Sequence, residues 1–163
     1  MLRRWKQLLE RDSGFSLIEL ALVMLIVGIL SATAGSLYLG YTVDAKTVEA
    51  KALAGSLWET LQMNAIALCG TGSSVTGSYP RAGLTSSGGT TPGRWSVNSG
   101  GTNTLTADCS SGAYTVSASP LFVIQGDSAD VNVIQVRLVY SSAGTPPSTL
   151  QCTKDSGATF VDC

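Results

Sequence analysis

Histidine is absent from this 163-residue chain and charge is scarce, at 13% of residues. Without histidine the commonest metal ligand and general base is missing. No Cys-x-x-Cys pair stands in for it, so a zinc centre has no ligands of the usual spacing. A Gly-x-Ser-x-Gly elbow, a phosphate-binding loop and a dinucleotide fingerprint are missing too. The expectation is a protein that is not an enzyme and uses no cofactor and no metal. Positive charge is equally short. Of ten Lys/Arg and eleven Asp/Glu, Arg3, Arg4, Lys6, Arg11, Glu10 and Asp12 precede Gly14, which leaves six against nine, net −3. Such a balance has no electrostatic footprint for nucleic acid, and none is expected as a direct partner.

Charge vanishes altogether from Leu20 to Val43, 24 positions. A helix needs only about 20 apolar residues to cross a bilayer. Residues 1–14, net about +2, would stay cytoplasmic by the positive-inside rule, with everything beyond them exported. Glu19 stands at the edge of the apolar run. A carboxylate costs about 2.5–3.5 kcal/mol at a membrane helix centre and less near the interface, so Glu19 calls for a partner and a function. Lys46 is the next cation, roughly 40 Å further along a helix, too far to be that partner.

The junction itself is specific. Gly14-Phe15-Ser16-Leu17-Ile18-Glu19 resembles the processing site of type IV prepilins, with a short basic leader ending in Gly, then Phe, then Ser-Leu-x-Glu opening an apolar helix; Gly28 also matches. The resemblance implies that a prepilin peptidase cuts between Gly14 and Phe15, that the new Phe15 amine is N-methylated, and that Glu19 serves assembly. The chain departs from many pilins at Ser36, flanked by Gly35, where a helix-kinking proline is common. Ser31 to Gly40 still holds several poor helix formers, and the helix is expected to be weakest there. Two other readings of the same residues exist. One is a secretory signal cut after Ala32-Thr33-Ala34, which would free a domain starting at Gly35. The other is a plain anchor in which Glu19 is incidental.

From Val43 to Leu68 proline is absent, and Leu53, Leu57, Leu61, Ala65 and Leu68 recur at three- and four-residue spacing, which predicts an amphipathic continuation of the helix. Lys46, Glu49, Lys51 and Glu59 lie largely off that stripe. Gly70 to Gly112 is dense in Gly, Ser and Thr, with turn signals at Tyr79-Pro80 and Thr91-Pro92-Gly93. It reads as a long surface connection holding short strands at Arg94–Val97 and Thr104–Ala107. Stronger strands are predicted at Ala113–Ala118, Leu121–Gln125 and Val131–Tyr140, with Asn132, Ile134, Val136, Leu138 and Tyr140 facing the helix. Gly126-Asp127-Ser128 and Thr145-Pro146-Pro147 supply turns. The expected fold is α+β, a long N-terminal helix laid on an antiparallel sheet of about four strands, as the resemblance also implies.

Cys69, Cys109, Cys152 and Cys163 all follow the apolar run, an even set in an exported segment, which favours disulfides. Three connectivities are possible. Cys69–Cys109 with Cys152–Cys163 is preferred because it staples the Gly-rich stretch to the helix end and the C-terminus to the loop after the sheet. The second loop resembles the disulfide-bounded C-terminal region of many pilins. Other features have two readings each: Asp127 and Asp130 as a calcium turn or a solvated loop, Thr71–Thr106 as a site of O-linked sugars or a flexible loop, and Tyr79, Trp95 and Tyr114 as an exposed patch or core. The expected domains are a leader (1–14), a transmembrane and filament-core half (15–43) and a globular head (44–163). The expected function is structural: a type IV pilin subunit made as an inner-membrane precursor and polymerised at the cell surface as a homo-oligomer, with the peptidase and the assembly machinery as partners. A type II secretion pseudopilin, a minor pilin, a tip adhesin and a secreted domain are the alternatives; the four cysteines favour a pilus.

Overall fold

Residues 15–91, 93–98, 103–141 and 148–163 are described by the computed structural model. The chain divides into two compact units, one ending at Tyr41 and the other running from Thr42 to Cys163. A single helix, α1 (Leu17–Leu68, 52 residues), opens it. Helix formers without proline sustain it, and it is unbroken through Ser31–Gly40. Its end is a left-handed pair, Cys69 (φ 31°) and Gly70 (φ 78°), a conformation that glycine adopts without strain. The Gly70 N–H then donates to the Ala107 carbonyl at 2.9 Å, so the helix stops where the sheet begins to accept hydrogen bonds.

In the second unit α1 buries Thr47, Ala50, Ala54, Leu57, Thr60, Leu61 and Ala65, one stripe at three- and four-residue spacing. Two residues of the expected stripe are less buried than the rest. Leu53, about 100° around the helix from Ala54, is only partly buried, and Leu68, at the helix end, is 49% exposed. Alanines do much of the packing because small side chains let the helix axis approach a sheet.

That sheet has five strands in the order β2 (Trp95–Asn98), β5 (Phe122–Gly126), β6 (Gln135–Tyr140), β7 (Ser148–Thr153), β8 (Val161–Asp162), all antiparallel. Its register builds rows of inward side chains: Val97 opposite Ile124, Ile124 opposite Val136 and Val136 opposite Cys152, with Phe122 opposite Leu138 and Leu138 opposite Leu150. These share one core with the alanine and leucine stripe of α1. Trp58 adds an aromatic contact with Tyr140, ring centroids 6.2 Å apart. The expected single sheet of about four strands is therefore replaced by two sheets. The second, β1 (Ser73–Ser74), β3 (Thr104–Ala107) and β4 (Tyr114–Val116), pairs in the order β1-β3-β4.

Gly70–Gly112 is not a surface connection. It holds β1, a short helix α2 (Val75–Ser78), a 3-10 turn (Pro80–Ala82), β2 and β3. Val75, Tyr79, Ala82, Leu84, Trp95, Leu105 and Ala107 are buried in the core. Long-range pairing supplies this order, since β1 meets β3 some thirty residues later. Tyr79 and Trp95, at 3% and 1% exposure, are core residues, so the exposed-patch reading fails for both; Tyr114 packs against the same core, partly buried. Pro92, inside one expected turn, and Thr145-Pro146-Pro147 lie outside the described residues.

The expected strand Val131–Tyr140 begins only at Gln135. Val131 N–H donates to Ser128 O (3.0 Å) and Ile134 N–H to Val131 O (2.9 Å), which makes a turn of the intervening residues. Val131 is buried although strict alternation pointed it outward. Gly126 explains the close approach: a Cβ there would collide with the Val131 carbonyl. β7 and β8 were not expected at all.

Arg94 joins three segments. Its guanidinium meets Glu49 of α1 at 2.8 Å and Asp130 at 2.7 Å, and Lys46 stands 3.5 Å from the same Asp130 carboxylate. The Asp130 carboxylate is thus already paired with two cationic side chains. The Ser128 hydroxyl, then Arg94 and Lys46, hold the Asp130 carboxyl below the usual range. Hydroxyls of Ser110 and Ser111 do the same for Asp108, and those of Thr153 and Thr159 for Asp155. A carboxyl whose folded pKa lies below its unfolded value stabilises the fold above the unfolded value near 4 and loses that contribution as pH falls through the folded one. The unfolding midpoint is expected to hold from pH 7 to about 5 and to fall steadily below about 4. A flat midpoint down to pH 2 would show that these contacts contribute nothing.

Candidate functional site

The start of α1 is built by two side chains. Ser16 Oγ accepts from the Glu19 backbone N–H (3.3 Å), and Glu19 Oε2 accepts from the Ser16 backbone N–H (3.0 Å). Each satisfies a donor that the first helical turn leaves open, the reciprocal arrangement of a capping box. Its Ser-x-x-Glu spacing was legible in the sequence, but Ser16 was read only as part of the hexapeptide. The bond turns the carboxylate back toward the chain that enters the helix. Phe15 N is one peptide unit from Ser16 N, so standard bond lengths place it within about 7 Å of Glu19 Oε2. Phe15 and Glu19 are therefore brought together; Gly14 lies outside the described residues.

Beyond this cap the helix offers little except apolar surface. Sixteen large hydrophobic residues between Phe15 and Tyr41 are exposed, from Phe15 (79%), Leu17 (89%) and Ile18 (76%) to Tyr41 (72%). Thr33 returns its hydroxyl to the helix, donating to Leu30 O at 3.0 Å. α1 is long and apolar enough to cross a membrane. Soluble proteins rarely expose contiguous apolar patches beyond a few hundred Å². This surface exists to be covered.

Every cation beyond Gly14 already has a partner in the second unit. Lys46 and Arg94 meet Asp130, Lys154 pairs with Asp44, and Lys51 donates to the Cys163 carbonyl at 2.9 Å. Arg81 binds Asn64 Oδ1 (2.7 Å), while Arg137 binds Gln151 and lies 3.8 Å over the Phe160 ring. Among the described residues these contacts of the six side chains do not involve Glu19.

Two disulfides close the second unit. Cys69–Cys109 (Cα–Cα 5.6 Å) ties the end of α1 to the turn after β3, and Cys152–Cys163 (Cα–Cα 5.3 Å) ties β7 to the residue after β8. Among the described residues no group of three or more His, Cys, Asp or Glu side chains is placed to hold a metal. What the arrangement can do chemically is bind: one long apolar face headed by one oriented carboxylate.

Residues 10–35 match the family model of the prokaryotic N-terminal methylation motif, the type IV prepilin-like signal. That match takes in Gly14, Phe15, Ser16, Glu19 and Gly28, and leaves the second unit outside it. No solved structure matches the chain.

Proposed function

We propose, from the prepilin-like methylation signal at residues 10–35, that this chain is a structural subunit of a type IV pilus. It is made as a single-pass inner-membrane precursor, cut after Gly14 by prepilin peptidase, N-methylated at Phe15 and polymerised through α1 by the inner-membrane assembly machinery. The observation that carries the reading is the apolar helix from Leu17 to Tyr41, whose large hydrophobic residues are exposed and which carries Glu19 in its first turn. Burying a large apolar side chain contributes about 1.5–3 kcal/mol. Sixteen of them supply a driving force of tens of kcal/mol, first for the membrane and then for a filament core of like helices. Expected domains follow: leader 1–14, filament-core half 15–43, head 44–163. A type II secretion pseudopilus would use the same signal, and the two disulfides fit the oxidising side of the membrane in either case.

The test is the mature N-terminus. Mass spectrometry of the membrane-bound or filament-bound chain is expected to find N-methylated Phe15 at position one. A chain that starts at Gly35 would replace this reading by a secreted domain, and an intact Met1 would make α1 a plain anchor. Sheared surface material dominated by this chain would identify it as the major subunit.

A further inference from the structure

We infer that Ser16 is a positioning residue for assembly: it holds Glu19 so that one carboxylate oxygen stays on its own helix and the other is presented to an incoming amine. The inference rests on the filament reading above. Glu19 is exposed and has three rotatable side-chain bonds, so left alone it would sample many rotamers. The capping box removes most of that freedom, with Oε2 held by the Ser16 N–H while the Ser16 hydroxyl holds the Glu19 N–H. Among the described residues Oε1 carries no hydrogen bond. Ordering a side chain before docking removes an entropy cost from docking itself.

The geometry survives the cut. Ser16 and Glu19 both lie on the Phe15 side of the expected cleavage, so leader removal changes the charge beside the cap without dismantling it. Before the cut Phe15 N is an amide; after it, an ammonium stands within about 7 Å of Oε2. The carboxylate is thus aimed at the end of the helix where both its own amine and a neighbour's approach. A second copy that docks with its Phe15 near this end finds Oε1 in place, and Ser16 keeps the acceptor from folding back along the apolar flank.

The experiment compares Ser16→Ala, Ser16→Thr, Ser16→Asp and Glu19→Ala in the full-length chain, each as the sole copy, with filament yield measured and cleavage verified by mass. Ser16→Ala is expected to lower the yield of filaments from cut chains about fivefold, the usual size of a lost N-cap. Ser16→Thr should restore it. Ser16→Asp separates positioning from plain helix capping. Aspartate caps a helix as well as serine does, so a capping role alone leaves yield at the wild-type level. A positioning role instead predicts a loss like that of Glu19→Ala, because the new carboxylate repels Glu19 and competes for the amine. If Glu19→Ala loses filaments while the cut Ser16→Ala and Ser16→Asp chains assemble normally, the inference is wrong and the filament reading stands. If Glu19→Ala also assembles normally, the filament role of Glu19 falls first. Should Ser16→Asp resist cleavage, the helix content of the cut Ser16→Ala chain decides: filament loss with unchanged circular dichroism supports positioning, and filament loss that tracks a loss of helix refutes it.

Discussion

Glu19→Ala is expected to leave the chain inserted, cut after Gly14 and folded in its head, yet to make few or no filaments. The head should not notice the change, because among the described residues none before Val43 belongs to its core. Assembly should notice it strongly. A filament core of apolar helices excludes water, and removing one partner of a buried ion pair typically costs about 3–5 kcal/mol. Each of the six Lys/Arg beyond Gly14 has a polar partner within the second unit, and on the filament reading the amine freed at Phe15 is the cation proposed for Glu19. On the filament reading an amine from a neighbouring subunit would meet Glu19 if copies were offset by about one helical turn, and the pair would then also set the axial register. The penalty recurs at each added subunit. Glu19→Gln keeps the size and loses the charge, and it should fail in the same way. Normal filament yield from Glu19→Ala, with no wild-type copy present, would show that this pair does not drive docking.

The second large effect belongs to the Cys69–Cys109 disulfide. Its sequence separation is 40 residues, that of Cys152–Cys163 is 11. On the chain-entropy account loops of these sizes contribute about 4 and about 3 kcal/mol. The longer loop encloses β1, α2, β2 and β3, and with the segments between them it supplies Val75, Tyr79, Leu84, Trp95 and Leu105 to the core. Replacing Cys69 and Cys109 together by Ser is expected to lower the unfolding midpoint of the detergent-solubilised chain by on the order of 15 °C. Replacing Cys152 and Cys163 should cost less, since β8 is two residues long and β7 keeps six pairings with β6. Peptide maps made without reduction should show these two linkages and no free thiol. An unchanged midpoint in the Cys69/Cys109 variant would mean that the Gly-rich stretch holds its place by packing alone.

Sequence by itself determined the features whose signal is local or one-dimensional. The uncharged run and the hexapeptide around Glu19 need no partner elsewhere to be recognised, and neither does the helical spacing of Leu57, Leu61 and Ala65. Thr104–Ala107 was placed to the residue because its boundaries are turn residues, and the even number of cysteines beyond the apolar run pointed to disulfides. Tertiary structure decided the rest. Ser73–Ser74 and Val161–Asp162 are two-residue strands, too short to carry any periodicity, and they exist because β3 and β7 offer unpaired edges to them. Val131–Ile134 alternates like a strand but turns, because Gly126 lets the Val131 carbonyl come closer than a side chain would permit. Tyr79 and Trp95 sit in a Ser/Gly-rich stretch whose composition says surface, and they are buried because the chain returns to cover them. The orientation of Glu19 was likewise settled only by the folded helix end. A sequence shows that Ser16 and Glu19 are three apart; only the turn of the backbone brings the carboxylate to the Ser16 N–H.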